Sequence, residues 1–194
     1  MDFGSMFSTW QNVLLKPKES LTSEAAKDST LMDGFMSFLV GAIVVAILVF
    51  LGQLVFGLGA LAGIGAAIID FIGVLVLSFL GTLVIWILAM ILGGKASYTK
   101  LYYLSSTFTV PLQMLMVLLS FIPLIGGIIS ILLWLYSLVL LAMALKRLYG
   151  FDNVKAGIVV AIPVIVLIIA LVVLGAAFLA MFTAVGGSSV ASGL

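Results

Sequence analysis

Four stretches of this chain run for about twenty residues or more with almost no polar position, and a fifth begins polar and turns apolar. They lie at about 35–56, 68–92, 104–122, 124–145 and 156–182. Each reaches the roughly 17–25 residues that an α-helix needs to cross the hydrocarbon core, and the last is longer, which predicts a tilted span. The pattern predicts an all-α integral membrane protein with five transmembrane helices. The break at 57–67 opens with GLGALAGIG, rich in glycine and free of charge. The break between the third and fourth runs is FIPLIGG, a proline-glycine turn tight enough to demand an antiparallel hairpin.

The 33 residues ahead of the first run have a different pattern. In MFSTWQNVLLK, the residues Phe7, Trp10, Val13 and Leu14 recur at helical spacing. They predict a short amphipathic helix lying in the headgroup layer, ended by Pro17. The expected organisation is an N-terminal arm over 1–33, a membrane domain over 34–183 and a short external tail over 184–194. The arm has no basic start, short apolar core and small-residue cleavage site in series, so it does not read as a signal peptide.

Composition agrees with this division. Of 194 residues, 65% are hydrophobic and 8% are charged, where a soluble domain carries roughly 25%. Mean hydropathy is +1.46. Cysteine and histidine are both absent, which excludes disulfides, thiol nucleophiles, thiolate or imidazole metal sites and any serine–histidine pair. An aspartyl dyad needs two intramembrane acids, and at most one is present. No enzyme activity and no cofactor are expected. A net charge of +1 gives no electrostatic case for nucleic acid.

The placement of the charges says more than their sum. Lys16, Lys18 and Lys27 precede the first span, Lys95 and Lys100 follow the second, and Lys146, Arg147 and Lys155 follow the fourth. With five spans, all eight basic residues fall on one side. The positive-inside rule then puts the N-terminus in the cytoplasm and the C-terminus outside. In GGKASYTKLYY, residues 93–103, the glycine pair ends the second span, the lysines hold it inside, and Tyr98, Tyr102 and Tyr103 suit the water–lipid boundary. Lys95, Tyr98, Lys100, Lys146 and Arg147 are the candidate partner-binding residues of this cytoplasmic face.

Inside the membrane the candidates are Asp70, Thr107, Pro111 and Gln113. Asp70 is the one ionisable residue within reach of a span, and a carboxylate at the bilayer centre is costly enough to suggest a role. The alternative places it at the outer interface, near a helix N-terminus that favours negative charge. The third span opens SSTFTVPLQ. Pro111 removes an amide donor and frees the carbonyl of Thr107. The stretch reads either as a half-broken helix lining a polar cavity or as a packed kink whose hydroxyls bond across helices. Pro163 resembles the same device in the fifth span, where a kink is expected to splay the cytoplasmic end. Trp86, Trp134 and Tyr136 read as packing residues.

Three stretches together resemble the Yip domain (Yip-one) family, multi-pass membrane proteins named for interaction with Ypt/Rab GTPases. They are VLLKPKESL, LGGKASYTKLYYLSSTFTVPLQML and FIPLIGGIISILLWLYSLVLLAMALKRLYGFDNVKAGIVVAIPVIV. The proline lead-in, the Gly-Gly-Lys turn, the proline within span three, the Pro-x-x-Gly turn, the basic end of span four and the early proline of span five come in the family's order. The resemblance covers about 10–180. The longer acidic, proline-rich region and the Asp-Leu-Tyr-Gly-Pro motif of eukaryotic members are absent, so the chain looks like the prokaryotic, particularly archaeal, branch. The resemblance implies a fold and a membrane location. The expected partners are the bilayer, a protein on the cytoplasmic face and further copies of the chain; a cell membrane is the expected location for a prokaryotic member. The expected role is a membrane scaffold or partner-binding protein in membrane organisation. The alternative is a subunit of a small-solute or ion pathway.

Overall fold

The computed structural model describes residues 3–56 and 59–191, without the side chains of 179 and 181–191. The described residues form seven helices and no strand: α1 (Phe3–Leu15), α2 (Pro17–Ala26), α3 (Leu31–Val55), α4 (Gly59–Ile91), α5 (Tyr98–Ser120), α6 (Ile125–Tyr149) and α7 (Asn153–Ala191). The last five are each long and apolar enough to cross a membrane. This is a five-span integral membrane protein preceded by a short amphipathic helix.

Local chemistry sets most of the boundaries. Thr30 and Asp33 form a reciprocal capping box that starts α3. Gly93, at φ +90°, turns α4 off while its amide donates to Met90 O and that of Gly94 to Ala89 O, which satisfies two of the last carbonyls. The Ser97 side chain accepts from Lys100 N and opens α5. Gly150, at φ +67°, ends α6, and Asp152 Oδ1 accepts from Lys155 N at 2.8 Å at the start of α7.

Three boundaries differ from the pattern reading. Most of the glycine-rich break is helical, because α4 begins at Gly59 and not near 68. Glycine costs a helix only about 1 kcal/mol relative to alanine, a segment in lipid satisfies its backbone best as helix, and Gly63 packs on Phe50 and Gln53 of α3. Pro17 does end α1, but it also occupies the first turn of α2, where its missing amide costs nothing. The tail expected over 184–194 continues α7 as helix through Ala191; residues 192–194 lie outside the described residues.

The bundle is organised around a parallel pair, α3 and α5. Gly34 lies against Tyr103, Gly41 against Val110 and Gly52 against Phe121, so contacts keep a constant offset of 69 residues (103 − 34 and 110 − 41). The approach is close: a Cβ at Gly34 would sit 3.0 Å from the Tyr103 backbone. Small residues allow such packing where lipid supplies no hydrophobic drive between helices. Phe38, Ala42 and Val45 complete this face of α3, and Val74 of α4 joins it.

The α5–α6 hairpin is as tight as its sequence demands. Ile125 N donates to Pro123 O at 2.7 Å, a γ-turn centred on Leu124 at φ +62°. A Cβ on Gly126 would overlap the carbonyl oxygen of Leu119, so only glycine fits there.

Candidate functional surface at the basic end

The amphipathic pattern of α1 is real, but its apolar face meets protein. Trp10 is 5% exposed and Val13 is fully buried, whereas Phe7 is 65% exposed. Met6 and Trp10 pack with Phe38, Tyr102 and Val110, and Val13 packs with Leu104, Phe108 and Leu140. The indole nitrogen of Trp10 donates to Ser37 Oγ at 3.1 Å. Tyr136 reaches over from α6 and donates to Leu14 O at 3.1 Å, at the open end of α1. The headgroup role expected for the whole stripe is left to Phe7, because the bundle offers Trp10 both an apolar slot and a hydrogen-bond acceptor.

Helix α2 is fastened by a buried carboxylate. Leu21 and Glu24, one turn apart, face inward. Glu24 is 6% exposed, yet both oxygens are satisfied: Oε2 accepts from the Tyr103 hydroxyl at 2.7 Å and Oε1 from Lys27 Nζ at 2.6 Å. Such charge-assisted bonds are about twice as strong as neutral ones, and a buried charge needs them. A second link, Lys100 Nζ to Asp28 Oδ1 at 3.9 Å, is exposed and contributes little.

These contacts gather segments distant in sequence at one end of the bundle. The α4–α5 joint packs on the α6–α7 joint through Gly94, which leaves no room for a side chain beside Tyr149, and Tyr149 stacks on Phe151. Trp86 Nε1 donates to Ala96 O at 3.1 Å and holds the first joint down. Tyr98 donates to Phe79 O at 3.0 Å and stacks on Tyr102, with ring centroids 5.6 Å apart. Lys95 is exposed and Lys100 reaches Asp28; with the half-buried Tyr98 they mark the α4–α5 joint. Lys146 and Arg147 are exposed on the last turn of α6 and mark another, which Lys18 of α2 joins. Among the described residues, every basic side chain belongs to α1–α2 and their flanks or to these two joints.

The intramembrane candidates separate. Asp70 lies eleven residues past the first residue of α4 (70 − 59), between Gly63, which meets Phe50, and Val74, which meets Ala42 and Val45. It is half-buried and about three turns in from the first residue of α4, beyond the reach of the helix N-terminal dipole. Thr107 and Pro111 are buried in a helix that runs through the proline unbroken. Ser106 and Thr107 return their hydroxyls to Tyr103 O and Leu104 O, each at 2.7 Å, within α5 and not across helices. Gln113 is half-buried farther along α5.

A different set of serines and threonines contributes to the mostly apolar lining of an interhelical crevice of about 270 Å³. Ser78, Thr82, Ser105, Thr109 and Ser137 line it together with Pro163. Pro163 marks where α7 leaves the bundle. Ala156, Val159 and Val160, before it, are buried, and the apolar residues of 165–178 are exposed, so the looser part is the one beyond the proline and not the basic end. Trp86 is packed as expected, but Trp134 is 37% exposed toward lipid.

Glu24 and Ser37 are missed from the sequence, where Lys18 reads only as topology and Tyr103 only as a residue of the water–lipid boundary; Tyr103 is instead buried against Glu24. Glu24 carried a legible signal, an acid one helical turn from Leu21 in LTSE. Lys18 carried none, because only folding sets it beside α6. Among the described residues no group of acids could hold a metal ion. The family model of the Yip1 domain matches residues 12–190. No curated protein and no solved structure matches the chain.

Proposed function

The chain belongs to the Yip1 domain family, and from that premise we propose that it is a non-catalytic membrane scaffold that binds a protein partner at its basic end. In this reading the basic end faces the cytoplasm, by the positive-inside rule. The observation that carries the reading is the assembly of that end. Three separated segments meet there, and a buried Glu24–Tyr103–Lys27 cluster holds the N-terminal helices in place. Such rigid support suits a recognition surface, because little ordering entropy remains to be lost on binding. The docking patch is Lys95, Tyr98 and Lys100, with Lys146 and Arg147 on the neighbouring joint.

A photo-crosslinking residue at Lys95, in membranes of the native host, tests this. A specific protein adduct is expected, lost in Lys100→Gln while topology is retained. Uniform absence of adducts from positions 95, 98 and 100 would refute the docking patch.

A second reading, a subunit of a small-solute or ion pathway, is favoured by one observation: five serine and threonine residues among the otherwise mostly apolar lining of a crevice between helices. It predicts that cysteines placed at Ser105 and Thr109 react with a water-soluble thiol reagent in intact membranes. Protection of both sites sinks it.

A further inference from the structure

The cleft between α2 and the α6–α7 joint goes beyond the partner reading, which takes Lys146 and Arg147 as exposed charges without the Lys18 that folding sets beside them. It encloses about 320 Å³ and is lined by Lys18, Met143, Lys146, Arg147, Gly150 and Phe151. Three cations from two elements converge on it, and none forms an ion pair among the described residues. Lys146 Nζ is held by Asn153 Oδ1 at 2.6 Å, a neutral partner that orients the ammonium without cancelling its charge. The acids adjacent in sequence leave the charge standing. Glu19 and Asp152 are both exposed and neither lies within ion-pair distance of the three cations, although Asp152 keeps its negative charge while accepting from the amide of Lys155.

The helix dipole accounts for part of this cluster only. Lys146 and Arg147 lie in the last turn of α6, where cations are favoured. Lys18 is the second residue of α2, where a cation is disfavoured, and folding still places it against the other two. An anion in the cleft relieves both the mutual repulsion and the dipole conflict.

The surroundings point to the kind of anion. The cleft opens where the apolar length of α6 ends, which is the depth of lipid headgroups. Its other walls, Met143 and Phe151, are apolar. Below it, Val139, Leu135 and Leu132 continue the same face of α6 at spacings of three or four residues, and all three are exposed. A phosphate group in the cleft is therefore followed by an apolar track of acyl-chain character. We propose that Lys18, Lys146 and Arg147 form a binding site for the phosphate of an anionic phospholipid, with one acyl chain lying along Leu132, Leu135 and Val139. Basic pockets between membrane helices bind anionic headgroups in this manner.

The test uses the full chain, purified in detergent and stripped of lipid, with bound lipid counted by native mass spectrometry. The probes are phosphatidylglycerol, phosphatidylcholine and soluble glycerol phosphate. Preferential retention of phosphatidylglycerol is expected. Lys18→Gln and Arg147→Gln should each weaken it about fivefold, in line with roughly 1 kcal/mol per surface charge. Arg147→Lys should keep most of the binding, and thermal melts should show the variants folded. Lys95→Gln, which removes the same charge from the other joint, should leave retention unchanged. Equal loss in Lys95→Gln would overturn the site in favour of diffuse attraction. Binding of glycerol phosphate as tight as that of phosphatidylglycerol would overturn the lipid assignment in favour of a soluble phosphate. Because the partner reading is tested from Lys95, Tyr98 and Lys100, failure of one proposal is distinguishable from failure of the other.

Discussion

In the first half of α5, residues 101–112 are buried except for Thr109; in α7, the apolar residues of 165–178 all face outward. Both segments are transmembrane helix, but they are held in different ways. The basic end is a packed core with its own polar bonds: Trp10 to Ser37, Tyr103 to Glu24 and Tyr136 to Leu14. The opposite end is a set of apolar cylinders whose main partner is lipid, tied at the α5–α6 turn, by Gly52 against Phe121 and by Gly63 against Phe50. The difference is physical. Lipid tails solvate a leucine as well as another helix does, so helices separate freely unless small residues or polar groups fasten them. At the basic end water and two extra helices are also available, and burial there is rewarded in the usual way.

That comparison can be broken first at Trp10. Trp10→Ala removes the largest anchor of α1 and leaves Ser37 without its donor. The expected cost is about 3–5 kcal/mol, seen as a large drop in thermal midpoint in detergent and as protease access to residues 3–26. A tryptophan variant that melts like the parent would mean that α1 contributes no fastening.

Gly126→Ala comes next, because the Leu119 carbonyl is backbone and does not move aside cheaply. About 1–3 kcal/mol is expected, with the hairpin as the site of damage. It sharpens the comparison by testing a tight point in the otherwise loose half.

Tyr103→Phe should cost about 1–3 kcal/mol, since it strips one of two partners from a buried carboxylate. Glu24→Gln in the same background should recover part of the loss by removing the charge. A double-mutant cycle on melting gives the coupling directly, and zero coupling would mean that the 2.7 Å bond is not formed.

The smallest effects are expected at Lys100→Gln, below about 1 kcal/mol for an exposed ion pair, and at Ile169→Ala in the lipid-facing part of α7. A loss at Ile169 comparable to that at Trp10 would show that α7 is covered by something other than lipid.

Much of the architecture was legible because it depends on length and polarity alone. Runs of about twenty apolar residues can satisfy their backbone in lipid only as helices, and the Gly-Gly and Pro-x-x-Gly joints are local turn chemistry. The candidate surface was legible in part. Lys95, Tyr98, Lys100, Lys146 and Arg147 share an end for the same topological reason, but their division into two patches depends on what α2 lies against. The two positions open to Asp70 could not be told apart in the sequence, because the start of α4 at Gly59 goes with a contact of Gly63 on α3 that no local propensity registers.

By itself, then, the sequence determined the five spans, their order, the gathering of basic residues at one end and the two joints, since each follows from hydropathy, charge count or a turn within a few residues. Tertiary structure alone decided that α1 buries Trp10 in protein, that Glu24 reaches Tyr103, that α3 and α5 run side by side at a constant offset, and that Lys18 meets Lys146 and Arg147. Those outcomes depend on which faces of separate helices oppose each other. In a chain whose spans are apolar on nearly every side, that choice rests on a few glycines and hydrogen bonds, because the hydrophobic pattern has no polar face left to record it.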